Sequence, residues 1–347
     1  MATFINEYLG IDEQLLDEFG AFNISIINDL PLFIDPFLLF HSQKEEYQSL
    51  HKSIVDYVIF LRTKAALGPT STGLLQSWYC FSEVKQNWLG FSITGNSGTG
   101  LGMKFARSLH YSLTKQLQDF GLETISTGSH LEKVCLLEKG VGRDNISDFT
   151  TNLILDFLCS YTQNFADKHL TSDKIGKFSI NKAVFNYATE SWERRNYRLP
   201  KVNGDYVILT PKDILTRDEN WINRGDLVAA FEEIPTAISD AELRAQVSNY
   251  FSNVIAKPEN RVPNAGERDE AAVRTMLQFP ELLDYYIKFK EDSGNRAADI
   301  SSEKVLATEI VFVQQLAEIQ QRLKNSSEFY NSSWTTYTVA RELFSSH

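Results

Sequence analysis

A glycine-dense run that opens onto an amphipathic stretch constrains this chain more than any other feature. In SITGNSGTGLGMKFARSL (Ser92 to Leu109), Gly95, Gly98, Gly100 and Gly102 fall within eight positions. Glycine tolerates positive φ and close backbone approach, so such a run marks a tight turn. Behind it Phe105, Leu109, Leu113 and Leu117 recur at helical spacing, which predicts a helix from Lys104 to Phe120. The question is whether the turn also cradles a phosphate.

A P-loop needs a lysine and a hydroxyl after its last glycine. Gly95 and Gly100 have the spacing, but Leu101 and Gly102 occupy those places. The dinucleotide pattern fails as well, because Gly98 and Gly100 are followed by Met103 at the third glycine position. The segment GTGLG resembles the glycine box of histidine-kinase-type ATPases, and Glu83 with Asn87 mimics that family's E-x-x-x-N core. Only seven residues separate Asn87 from Gly95, however, and the intervening DxGxG box is absent. The run reads as a turn rather than an ATP site. Gly98, Gly100 and Gly102, at a helix start with free amides, remain the phosphate-contact candidates.

The rest of the chain predicts an α+β fold: a mixed N-terminal domain with short strands and amphipathic helices, then a helical C-terminal part. NDLPLFIDPFLLF (Asn28 to Phe40) reads as buried and extended, and a helix is expected from Glu46 to Lys64. Val134 to Leu137 reads as a short strand. A long helix carrying Leu153, Phe157 and Phe165 follows, with Ser147 as its N-cap and Asp148 in its first turn. RNYRLPKVNGDYVILTPKDIL reads as two strands joined at Asn203 and Gly204. Ala256 to Glu270 is a linker candidate, and Val305, Phe312, Leu316, Ile319 and Leu323 mark one face of a long helix. The expected units are 1–170, 171–255 and 256–347.

Two groups of residues carry chemistry. Glu132, Asp144 and Asp148 flank a loop, and converging carboxylates are what a Mg²⁺-dependent phosphodiesterase requires. Against this, Asp148 serves as a first-turn acid, and no acid-x-lysine triplet of the PD-(D/E)XK kind stands on a convincing strand. In SWERRNYRLPK (Ser191 to Lys201), Arg194, Arg195, Arg198 and Lys201 are interleaved with Trp192 and Tyr197. Guanidinium on phosphate with a ring for stacking is the chemistry of nucleic-acid contact, and salt bridging to the excess carboxylates is its bland counterpart.

A formal net charge of −11 rules out binding of nucleic acid through overall charge and leaves only a local patch. The three cysteines, Cys80, Cys135 and Cys159, have no paired spacing and read as buried free thiols rather than disulfides or zinc ligands. The six histidines are scattered, with His130 alone near the acids. No basic leader and no membrane-length apolar run is present, so a cytoplasmic protein with no membrane partner is expected.

DLPLFIDPFLLF, EVKQNWLGFS with the glycine run, GVGRDNISDFTTNLI and GDYVILTPKDILTRDENWIN together resemble a family of bacterial proteins associated with antiphage defence. The likeness covers most of the first 225 residues and carries no established active site. It implies that longer members continue into a C-terminal PD-(D/E)XK nuclease domain, so that this chain corresponds to the N-terminal portion. Three readings follow. The first is a sensing or specificity module that recognises DNA, RNA or a phage product and controls a nuclease, supplied by a protein partner or a further domain; it requires no cofactor. The second is a nuclease holding Mg²⁺ on Glu132, Asp144 and Asp148. The third is a scaffold that forms homo-oligomers through its C-terminal helices.

Overall fold

Short capped helices begin the chain. Asp12 accepts from the Gln14 amide at 3.0 Å, while Gly10 and Gly20 take left-handed φ. α1 (Ile5–Leu9) and α2 (Glu13–Phe19) therefore stop after one or two turns. The computed structural model describes residues 4–90, 100–137, 141–217, 219–231 and 233–325.

The segment expected to be extended divides instead. β1 (Phe33–Ile34) runs directly into α3 (Pro36–His41), because Asp35 accepts from the Phe37 amide at 3.0 Å and Pro36 fills the first helical position. That start signal overrides the apolar run. α4 (Glu45–Ala66) matches its expected helix and buries Ile54, Tyr57, Val58 and Leu61. α5 (Thr72–Tyr79), capped by Ser71, and α6 (Met103–Lys115) pack beside it.

Val134 to Leu137 is not a strand. It belongs to α7 (Lys133–Leu137), since an apolar run this short lacks a period and the turn bonds from Lys133, Val134 and Cys135 back to 130–132 wind it into a helix. The long helix beyond it is two helices, α8 (Arg143–Leu153) and α9 (Leu155–His169), which break at Ile154. Ser147 is not the cap. The cap is five residues earlier at Gly142, whose amide donates to the Asn145 side chain, and the buried Ser147 hydroxyl accepts from Ile34 N at 2.9 Å.

β2 (Ile175–Asn186) and β3 (Ser191–Val202) form a long antiparallel hairpin, with a register shift between Ile180 and Val184. β2 went unread in the sequence, whereas the Asn203–Gly204 turn into β4 (Asp205–Tyr206) is as expected, both residues taking positive φ. β5 (Leu215–Thr216) returns to pair with β1. The C-terminal part is helical: α10 (Arg224–Ala229), α11 (Ala241–Val254), α12 (Ala265–Gln278), α13 (Glu281–Asp292) and α14 (Gly294–Asn325). The expected linker ends early, because Asn264 and Glu267 cap α12 reciprocally. Val305 is buried, and the side chains of Phe312, Leu316, Ile319 and Leu323 lie outside the described residues.

The fold is thus α+β with a helical C-terminal part. Its core runs from Ile5 through Tyr57, Phe149 and Leu199 to Tyr286. The three cysteines are free thiols, with Cys135 and Cys159 buried and Cys80 half-buried. Among the described residues no helix is long and apolar enough to cross a membrane.

Candidate functional site

Three chain segments bring carboxylates together. Leu30 donates to Trp88 O at 3.1 Å and Gly90 donates back to Leu30 O at 2.9 Å, so the neighbourhood of Asp29 is stitched to the 83–90 segment. Phe81 and Leu101 exchange amide bonds of 3.0 and 2.8 Å, pinning that segment to the end of the glycine run. On α8, Asp144 and Asp148 are four residues apart and share a face. Asn152, one turn further, donates to Ser82 O at 3.3 Å and sets the backbone before Glu83 against α8.

The electrostatics express the convergence. Burial, with Glu83 and Asp144 nearby, pushes the Asp148 carboxyl up to about 7. Asp29 is also raised to about 7, by burial and Glu83, with Lys85 opposing. Burial raises Glu83, eased by Lys85 and reinforced by Asp144. Asp144 is raised by burial against the pull of Arg143. Asp29 Oδ1 and Glu83 Oε2 are both buried without a hydrogen-bond partner among the described residues. Glu83 is the carboxyl that acts on both Asp29 and Asp148, so these acids resist ionising together.

Among the described residues no three His, Cys, Asp or Glu side chains stand close enough to enclose a metal ion. A closed cage is not what Mg²⁺ requires, since it is commonly held by one or two carboxylates, waters and substrate phosphate. Asp148 sits mid-helix rather than in the first turn, so helix-dipole compensation does not account for it. Asp144 takes the first-turn place.

Glu132 does not join this group. It is fully buried against Asp35, where burial and that neighbour raise its carboxyl well above the ordinary range. It sits in the turn just before α7. Sequence reasoning passed over Asp29 and the Glu83-Val84-Lys85 triplet. The acid-x-lysine spacing was the available signal, hidden because it lies on an irregular segment leading into a 3₁₀ turn and not on a strand. Asn87, paired with Glu83 in sequence, serves the backbone and accepts from Leu89 N.

The glycine run has a structural duty at its described end. Gly100 has φ +65°, and a Cβ there would stand 2.5 Å from Glu83 N and 2.6 Å from Phe81 O. Gly102 is the N-cap of α6, with open space around it, while Gly98 lies outside the described residues.

The basic segment is divided by β3. Trp192 is half-buried among Tyr57, Phe81 and Phe185 and donates to Tyr57 Oη at 3.0 Å; Tyr197 is buried and donates to Asp156 at 2.5 Å. Both rings serve packing. Arg195 and Arg198, each about half exposed, reach Asp156 and Asp167 of α9 at 3.3 and 3.2 Å. Arg194 bonds Asn181, Lys177 lies opposite Arg198 in the register, and Lys201 is exposed.

All four acids and Lys85 fall inside a recognised domain. Residues 10–223 match the domain of unknown function DUF8370, and the chain belongs to that family. No curated protein and no solved structure matches the chain.

Proposed function

We propose that this chain is a divalent-cation-dependent phosphodiesterase acting on nucleic acid in bacterial defence, with Glu83 and Asp148 as the principal cation ligands. The observation that carries this reading is the convergence of Asp29, Glu83, Asp144 and Asp148 from three segments beside Lys85. A cation there would offset the cost of burying these acids in ionised form, and Mg²⁺ so held would supply Lewis-acid stabilisation and an activated water. Lys85 supplies positive charge where the phosphoryl oxygens gain negative charge in the transition state. With a net charge of −11, the acids without a cation repel a phosphodiester, so cation and substrate bind together.

A second reading, a recognition module controlling a separate nuclease, is favoured by one observation: Arg194 and Lys201 are exposed on the hairpin, with Lys177 and Arg198 paired across it. One experiment separates the two. The purified chain is incubated with plasmid and with short single-stranded DNA and RNA, in Mg²⁺ or Mn²⁺ and in chelator. Cation-dependent cutting lost in Glu83→Gln and Asp148→Ala is expected. A gel shift without cutting, weakened by Arg194→Ala and Arg198→Ala, replaces the first reading with the second. Neither cutting nor a shift refutes both.

A further inference from the structure

Away from the acid cluster, a chamber of about 240 Å³ lies where the β1–α3 corner and the 219–223 loop meet α13 and α14. Asn220 and Asp35 line it, at 2% and 1% exposure. Both amide atoms of Asn220, Oδ1 and Nδ2, are buried and lack a hydrogen-bond partner among the described residues. Native interiors rarely leave a side-chain amide wholly unpaired. The chamber's volume equals about eight waters at ~30 Å³ each, more room than one bridging water fills.

The other walls are already occupied. Asp35 accepts from Phe37 N at 3.0 Å and Trp221 N at 2.7 Å and has the buried Glu132 carboxyl against it, and a carboxylate has about four lone-pair sites, which leaves one for a further donor. Lys290 Nζ binds Asp226 at 2.8 Å and lies 3.8 Å over the Trp221 ring. The lining carries Asp35, Glu219 and Asp226 against Lys290 and Lys304, which favours a neutral or cationic occupant over an anion. Glu219, Asn220 and Asn223 also line a neighbouring cleft of about 400 Å³.

We propose that this chamber is a binding site for a small planar molecule whose edge presents an N–H donor beside an acceptor, the complement of the Asn220 amide, with a second N–H directed at Asp35. An asparagine amide pairs in this bidentate way with an adenine edge. A primary carboxamide offers the same donor and acceptor, so a free nucleobase and a carboxamide metabolite share the chemistry. Because α14 contributes Ala297, Ile300 and Ser301 to the wall, occupancy would also fasten the C-terminal helix to the body. The proposal does not rest on phosphodiesterase activity.

The test is a titration of the full chain with adenine and, separately, with nicotinamide, read by saturation-transfer NMR and by thermal unfolding. Saturable binding of at least one probe with a rise in Tm is expected, weakened at least tenfold by Asn220→Leu. Ile300→Trp, which fills the chamber from α14 without touching its polar wall, is expected to abolish it and keeps the test decisive if Asn220→Leu does not fold. Binding of adenine alone assigns a nucleobase, and binding of nicotinamide alone a carboxamide. Absence of binding by both probes, or binding that persists in Ile300→Trp, overturns the proposal and leaves the chamber to water.

Discussion

The buried His130 ring and the Glu291 carboxylate meet at 3.0 Å, and this contact ties the loop before α7 to α13. Glu291 also accepts from Thr127 N at 2.7 Å and Gly128 N at 2.8 Å. Burial pushes its carboxyl up, but His130 and the two amides outweigh that and hold it below its ordinary range. Next to it, the buried Lys133 ammonium spans Glu123 at 2.7 Å and Asp284 at 2.5 Å. The C-terminal helices are latched to the DUF8370 region by charge in the interior.

Removing one partner of such a latch leaves the others buried and unpaired. Glu291→Ala is expected to cost about 3 kcal/mol, read from urea unfolding. Lys133→Ala should cost at least as much, since it strands two carboxylates. A loss under about 1 kcal/mol in both would show that α13 is held by apolar packing alone.

Asp148 titrates in the opposite sense to an ordinary ion-paired acid. Its folded value of about 7 lies above the ordinary 3.8, so its contribution to stability is complete below that ordinary value and lost as pH rises through 7. Asp148→Asn should therefore unfold at higher temperature than the natural chain at about pH 8, by a few degrees, and at the same temperature at about pH 4. Added Mg²⁺ is expected to raise the Tm of the natural chain and leave that of the variant unchanged.

His51 is held neutral: burial, with His130 beside it, lowers its pKa to about 3, against a smaller pull from Glu291. The unfolded chain binds the proton more readily, so this contribution is complete above the ordinary 6.5 and disappears as pH falls from there toward 3. His51→Phe, which cannot be protonated, should flatten the acid limb of the Tm profile. An unchanged limb would place the acid sensitivity elsewhere.

Gly100→Ala places a methyl group where φ is +65° and Glu83 N is 2.5 Å away. Left-handed backbone costs a non-glycine residue about 1–2 kcal/mol, and the clash adds to it. A loss of about 2 kcal/mol or more is expected, with cation-dependent cutting falling further than stability because Glu83 moves.

Arg195→Ala and Arg198→Ala remove exposed ion pairs on α9. Each should change stability by less than about 1 kcal/mol. Any larger loss of nucleic-acid binding in these variants then reports recognition directly and not folding.

The readable part of this protein was local. The 3.6-residue period of α4 and the Asn203–Gly204 turn need only neighbouring residues to specify them, and each stands where its pattern predicts. α6 is likewise legible from Phe105, Leu109 and Leu113, although it ends at Lys115 and not at the expected Phe120. Where two local codes competed, pattern alone was insufficient. The Asp35–Pro36 start signal turned half of an apolar run into α3, and four apolar residues at Val134 to Leu137 wound into α7 because their turn bonds were satisfied that way.

The sequence by itself determined the fold class and the main helices, because periodicity, turn chemistry and residue type act over a few positions. Only the tertiary structure decided that Asp148 lies mid-helix, that Glu132 turns inward to Asp35, and that Asp29 and the Glu83–Lys85 segment join the α8 acids. Asp29, Glu83 and Asp148 are brought together by the amide pairs at Leu30 and Phe81 and by the Asn152 contact to Ser82, contacts between distant segments that leave no period in the chain. Their shifted protonation follows from burial and mutual repulsion, which exist only once the chain has folded.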